Sequence, residues 1–224
     1  MAMEGAEAIG LVCFDLGGVV LRICRSWMEG CQAAGLGWRG SMDPLRAGFS
    51  GLDALNEAHQ TGRVDGAEYA RRFSELIGGL YSPEEVTRVL RAWVLGEYEG
   101  MAEVVDGIHE AGLETAVLSN TSEGHWETFP KYGAFCRLRN RLGSHELGVR
   151  KPDARAYRAV EDLSGYRRGA ILFFDDLAEN VEGARAVGWD AQQVDPQEDT
   201  AAQVVCALRS RGIALERGGR GAIT

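Results

Sequence analysis

Cys13-Phe14-Asp15-Leu16-Gly17-Gly18-Val19-Val20 sets one carboxylate between an apolar run and a pair of glycines. The run from Leu11 to Phe14 is too continuous for a strand with one wet face, so it predicts a parallel strand buried on both sides. A carboxylate thrown out of such a strand costs free energy unless something uses it. The same grammar recurs twice further along the chain. Thr115 to Leu118 runs into Ser119-Asn120-Thr121, and Ile171 to Phe174 runs into Asp175-Asp176-Leu177-Ala178-Glu179-Asn180.

Helical patterns with stop signals separate these runs. Met101, Val104, Val105 and Ile108 precede Gly112; Ala156, Tyr157 and Val160 follow Pro152, which is expected in a first helical turn; a third helix ends at Gly188. Strands alternating with helices predict a doubly wound, Rossmann-like α/β parallel sheet, with ligands beyond the C-terminal strand ends. From Arg22 to about Tyr98 no comparable apolar run occurs. Ala54 to His59, Ala67 to Ile77 and Pro83 to Val94 have amphipathic spacing broken by Gly62, Gly66 and Gly78-Gly79, so this interval is expected to be helical throughout. The division that follows is a core of residues 1–21 and 99–224 with a helical cap of residues 22–98, the end from Arg217 to Thr224 being expected to fray.

Composition narrows the classes of function. A chain of 224 residues holds one or two domains. Its 24 basic against 33 acidic residues give a net charge of −9, which disfavours nucleic acid and anionic membranes as partners. Five cysteines, Cys13, Cys24, Cys31, Cys136 and Cys206, are odd in number and lack a CxxC pair, so they suit neither a disulfide framework nor a zinc site. Glu4 and Glu7 stand where an export signal would carry basic residues, and no apolar run reaches membrane-spanning length, so a cytoplasmic location is expected.

The residues at the strand ends carry distinct chemistry. Asp15 is a carboxylate; Ser119 and Asn120 offer a hydroxyl, an amide and backbone N–H groups to an anion. Lys151, in Gly148-Val149-Arg150-Lys151-Pro152-Asp153, is one of only two lysines against 22 arginines, which suggests that a compact point charge is wanted there. Asp175 and Asp176 repel one another unless a cation compensates them. Plainer readings exist for each. Asp15 could be a turn residue, Ser119-Asn120 or Asp175-Asp176 a helix cap, and Lys151 a solvated cation. His59, His109, His125 and His145 are read as surface or helix residues without catalysis, Trp27, Trp38 and Trp93 as core with one of them on the lid's inner face, and Arg22, Arg25 and Arg46 as solvated charge with a minor substrate-contacting reading. Cys13 is read as a small core hydrophobe.

Carboxylate, hydroxyl, lysine and carboxylate pair, in that order and around a helical insert, resemble the four motifs of the haloacid dehalogenase-like (HAD) superfamily over nearly the whole chain. FDLGGVV, LSNT, RKPD and FFDD followed by NVEGA look most like its small-capped phosphatases, including the α-D-glucose-1-phosphate phosphatase group. The resemblance implies that Asp15 is the nucleophile that takes up a phosphoryl group. It implies that Mg²⁺ is held by Asp15, the Gly17 carbonyl and Asp176, with Asp175 behind them, and that Ser119, the Asn120 backbone and Lys151 hold the phosphate oxygens. The implied activity is a phosphatase acting on a small phosphorylated metabolite, as a monomer or a homodimer. One position departs from the family pattern: its second aspartate, the general acid, is Gly17 here, which predicts slow turnover or a preference for good leaving groups. A phosphonate-cleaving relative needs a cap lysine that Arg22 to Glu97 lacks. A metal-free haloacid dehalogenase and a non-catalytic module that binds a phosphorylated ligand or a protein stay as alternatives.

Overall fold

A computed structural model describes residues 8–40 and 51–215 of the chain. Glu4, Glu7, Arg46 and the end from Arg217 to Thr224 lie outside the described residues. In chain order the elements are β1 (Leu11–Phe14), β2 (Leu21–Ile23), α1 (Trp27–Ala33), α2 (Leu52–Gln60), α3 (Gly66–Leu76), α4 (Pro83–Arg91), β3 (Val94–Glu97), α5 (Met101–Glu110), β4 (Glu114–Ser119), α6 (Glu123–Trp126), α7 (Gly133–Arg137), β5 (Arg141–Gly143), α8 (Ser144–Leu147), α9 (Ala154–Ser164), β6 (Ile171–Asp175), α10 (Ala178–Ala186), β7 (Asp190–Gln193) and α11 (Thr200–Ser210).

Five strands form one parallel sheet in the order β5-β4-β1-β6-β7, so β1 lies in the middle and the order reverses on either side of it. Alternation along β1 feeds two cores. Val12 and Phe14 face the layer of α5 and α11 with Val105, Ile108, Val204 and Leu208, whereas Leu11 and Cys13 face α9 and α10 with Tyr157, Val160 and Val181. This double burial is why β1, β4 and β6 read as unbroken apolar runs. The expected strands and the expected doubly wound sheet are therefore present, and Cys13 is a core residue.

Between β2 and β3, helices α1 to α4 pack around a third core of Trp27, Leu55, Tyr69, Phe73, Tyr81 and Val89. Trp27 stacks against Phe73 with ring centroids 4.4 Å apart. Helix α4 opens on a capping box in which Ser82 Oγ accepts from the Glu85 N–H and the Glu85 carboxylate accepts from the Ser82 N–H. Two corrections to the sequence reading arise here. The interval is not helical throughout: its two ends, Leu21–Ile23 and Val94–Glu97, pair as an antiparallel ribbon that carries the chain out of the sheet and back. Pro152 is not in a first helical turn; α9 begins at Ala154 behind Asp153, whose side chain accepts from the Arg155 N–H.

Helix α2 docks on the sheet layer through its last residue. The Gln60 carbonyl accepts from Ser144 Oγ at 2.5 Å, and the same hydroxyl lies 3.1 Å from the Thr121 carbonyl while accepting from the Thr121 N–H at 2.9 Å. The Gln60 side-chain oxygen accepts from Arg150 at 2.9 Å. No helix among the described residues is long and apolar enough to cross a membrane.

Candidate active site

β1 and β6 are adjacent and in register, so Asp15 and Asp175 leave the sheet side by side, with Asp176 one residue on. One oxygen from each of the three carboxylates lies within 4.8 Å of the others. Lys151 reaches the same point from the loop before α9. Its Nζ lies 2.8 Å from Asp15 Oδ1 and 2.7 Å from Asp175 Oδ2, with the side chain fully buried. The solvated reading of Lys151 is thereby corrected, as is the turn reading of Asp15. A buried ammonium needs charged partners, and these two carboxylates supply them, raising the Lys151 pKa against the opposing effect of burial.

Asp175 is fully engaged. Besides Lys151 it accepts from Asn180 Nδ2 at 3.0 Å on both oxygens and from the Leu177 N–H at 2.8 Å. It stands behind Lys151, and the residue before α10 that acts as its cap is Leu177, so the helix-cap reading of Asp175-Asp176 does not hold. Asp176 instead accepts from Arg25 Nη1 at 2.6 Å. Arg25 thus pairs with Asp176 while its side chain stays 37% exposed. Gly18, at φ 85°, lets the turn pass this pair: a Cβ there would sit 2.6 Å from the Asp176 carboxylate and closer still to Arg25.

Asn120 clamps the lysine loop, its Oδ1 accepting from the Lys151 N–H at 2.8 Å and its Nδ2 donating to the Lys151 carbonyl at 2.9 Å. Its side chain positions Lys151, which leaves the backbone for an anion. Ser119 is buried at the end of β4, and among the described residues its hydroxyl has no hydrogen-bond partner. Neither residue caps a helix; the cap of α6 is Ser122.

Three carboxylates face two cations here, so the site holds excess negative charge. Burial, reinforced by Asp175 and Asp176 and opposed by Lys151, pushes the Asp15 pKa up to about 7. An all-oxygen donor set with surplus negative charge fits a hard divalent cation, and the Arg25 guanidinium on Asp176 marks where positive charge is favoured. Asp15, the Gly17 carbonyl and Asp176 are the residues that could hold it.

A cavity of about 260 Å³ opens from Gly17, Ser119 and Asn120 toward α2 and α3. His59, on α2, and His125, on α6, both line it, so of the surface and helix readings the helix one holds for them. His59 stacks on Tyr69 with centroids 4.2 Å apart, and burial together with His125 pushes its pKa down to about 4. Burial also lowers His125, whose Nε2 meets the Leu90 carbonyl at 2.8 Å. His109 bonds Thr115 Oγ1 away from the site, and His145 packs on Trp126. Trp27 and Trp93 belong to the helical core and line the cavity as well. Asn180 and Arg25 are the contributors that sequence reasoning missed. Asn180 follows Asp175 by five residues inside the quoted motif, whereas Arg25 meets a carboxylate 151 residues away and leaves no local signal.

The family model for haloacid dehalogenase-like hydrolases matches residues 9–188. A Mycobacterium tuberculosis protein, phosphatase MT3486, is 44% identical over 78 residues, which are 35% of this chain and 36% of that protein. The chain therefore matches about a third of that curated relative's length. A predicted HAD-like family hydrolase from Porphyromonas gingivalis superposes with a TM-score of 0.71 at 20% identity, covering 91% of this chain and 99% of the other. The HAD family enzyme bt-2542 from Bacteroides thetaiotaomicron, in complex with magnesium and inorganic phosphate, gives 0.68 at 20% identity, covering 88% and 99%. L-2-haloacid dehalogenase from Xanthobacter autotrophicus, with chloropropionic acid covalently bound, gives 0.60 at 17% identity, covering 92% and 84%. At these identities the structures share a fold.

Proposed function

The chain belongs to the haloacid dehalogenase-like hydrolases, and from that premise we propose that it is a Mg²⁺-dependent phosphatase of small phosphate monoesters. The observation that carries the reading is the convergence of Asp15, Lys151, Asp175 and Asp176 within a few ångströms at two adjacent strand ends. The phosphatase named among the relatives and the magnesium and phosphate held by bt-2542 support it. Mg²⁺, when bound, supplies positive charge to the phosphoryl oxygens.

The chain's own residues do the rest. The Asp15 carboxylate is the nucleophile: one of its oxygens forms a bond to phosphorus as the ester P–O bond breaks and its electron pair leaves on the alcohol oxygen. Water then attacks the aspartyl phosphate, gives up a proton, and frees Asp15 and inorganic phosphate. Lys151 holds Asp15 in position and balances charge on the transferring group, with Ser119 donating beside it. Asp175 and Asn120 fix Lys151 from two sides. The carboxylate pair Asp175-Asp176 beside the nucleophile favours this chemistry over metal-free dehalogenation, which has no need of such a pair.

Phosphate release from aryl and sugar phosphates with Mg²⁺ tests the reading. Asp15→Asn should lower the rate by about 10³-fold or more, and a chelator should abolish it. Chloride release from 2-chloropropionate that survives chelation would replace this reading with dehalogenation.

A further inference from the structure

The cavity that meets the catalytic strand ends is unusual in what lines it. Among the described residues no Asp, Glu, Lys or Arg contributes to its wall. The side facing α1 to α4 is indole, phenol and aliphatic: Trp27, Tyr69, Trp93, Ile23 and Leu90. Both histidines in the wall have pKa values lowered by burial and are neutral near pH 7. A second phosphate, a carboxylate or an ammonium on the substrate would lose its water there and gain no ion pair, which costs several kcal/mol.

Hydrogen-bonding capacity on that side is small as well. Tyr69 OH donates to Asn56 Oδ1 at 2.7 Å, the Gln60 side-chain oxygen is held by Arg150, and His125 Nε2 is held by Leu90. What remains is the Asn56 and Gln60 amide nitrogens, the Trp93 indole N–H and the His59 ring, which have no hydrogen-bond partner among the described residues. Apart from one ring nitrogen of His59 these groups are donors, the Asn56 and Gln60 oxygens being taken by Tyr69 and Arg150, so they suit a ring with one or two acceptor substituents. The hydroxyl protons of a sugar find few acceptors among them.

Position 17 points the same way from the chemical side. Gly17 lines the cavity mouth with no side chain to protonate a leaving group. An alkoxide departs poorly without that proton, whereas a phenol, with a pKa of about 10, leaves as phenolate and takes its proton from water afterwards.

Resting on the phosphatase reading, we propose that the substrate is the phosphate monoester of an uncharged phenol, its ring held in the aromatic chamber beside Asn56 and His59. Asp15 gains the phosphoryl group, the P–O(aryl) electron pair leaves on the phenolate, and the ring's substituent meets Asn56.

The test compares four esters with the full chain and Mg²⁺: 4-methylphenyl, 4-carboxyphenyl and cyclohexyl phosphate, and glucose 1-phosphate. The methylphenyl ester should exceed the carboxyphenyl ester in kcat/KM by about tenfold or more, the difference lying in KM. The carboxylate makes the better leaving group, so intrinsic reactivity predicts the opposite order. Cyclohexyl phosphate should bind similarly and lose in kcat, and glucose 1-phosphate should lose in KM. Asn56→Lys should move the carboxyphenyl to methylphenyl ratio toward or past unity. Equal rates for all four esters, or glucose 1-phosphate leading, would overturn the inference while leaving the phosphatase standing. If none turns over, the phosphatase reading fails; calorimetry with 4-methylbenzyl and 4-carboxybenzyl phosphonate then still decides the chamber's preference, equal affinities overturning it.

Discussion

The strand ends and the helical layer above them meet at one cavity but are built on opposite principles. At the strand ends, charge is concentrated: Asp15, Asp175, Asp176 and Lys151 are all buried or nearly so, and each is held by another or by Arg25. In α1 to α4 the buried interior is aromatic, centred on Trp27, Tyr69, Phe73 and Tyr81, and its ion pairs, such as Arg71 with Glu68 and Glu75, lie outside on the surface. Reaction chemistry needs fixed charges, and a chamber for an uncharged ring needs their absence. Under the proposed function, the division between the regions is a division of labour between electrostatics and packing.

The largest effect should come from the charged region. Lys151→Met leaves Asp15 and Asp175 buried without their shared cation and should destabilise the protein by about 3–5 kcal/mol, read from denaturant midpoints at unchanged slope. A loss under 1 kcal/mol would mean that the cluster serves the reaction alone. Phe73→Ala removes the ring that stacks on Trp27 and should cost about 3 kcal/mol. Amide exchange should locate that loss in α1 to α4, leaving β1, β4 and β6 protected; uniform acceleration would show that the two regions unfold as one.

Acid supplies the smallest and most discriminating contrast. His59 has a folded pKa near 4, below the unfolded value of about 6.5, so the unfolded chain takes up the proton first. Its contribution to stability is present above pH 6.5 and is lost as pH falls toward 4, amounting to about 2 kcal/mol or less given its partial exposure. Asp15 runs the other way. Its folded pKa near 7 lies above the unfolded value, so the metal-free strand ends gain stability as pH falls from 7 toward 4. Residue-resolved exchange without metal at pH 7 and 5 should weaken α2 and α3 and strengthen β1, and His59→Phe should remove the first change only.

The same contrast governs what could be read from the sequence. β1, β4 and β6 were legible because burial on both faces leaves no charged residue inside them, and the polar residues at their ends stand out against that background. The edge strands β5 and β7 escaped, since Arg141-Leu142-Gly143 and Asp190-Ala191-Gln192-Gln193 mix polar and buried positions in three or four residues. The β2–β3 ribbon escaped because its pairing joins residues more than 70 positions apart, with Gly96 interrupting one strand. Arg25 read as a solvated charge, its pairing with Asp176 unseen for the same reason: the partner is set by the fold. The cavity was the least legible part. Tyr69, His59 and Trp93 each carry the pattern of a helical core, and only their convergence on Gly17 and Ser119 makes them a chamber.

The Ser144 hydroxyl has a single proton and two carbonyls within reach, Gln60 at the end of α2 and Thr121 beside Ser119. It can satisfy one of them at a time. With α2 docked, the shorter contact claims the proton and Thr121 keeps only its N–H bond to Ser144; were α2 to lift, the proton would pass to Thr121 and hold the loop from both sides. The docking of α2 and the hold on the Thr121 loop are thus linked through the one proton of the Ser144 hydroxyl.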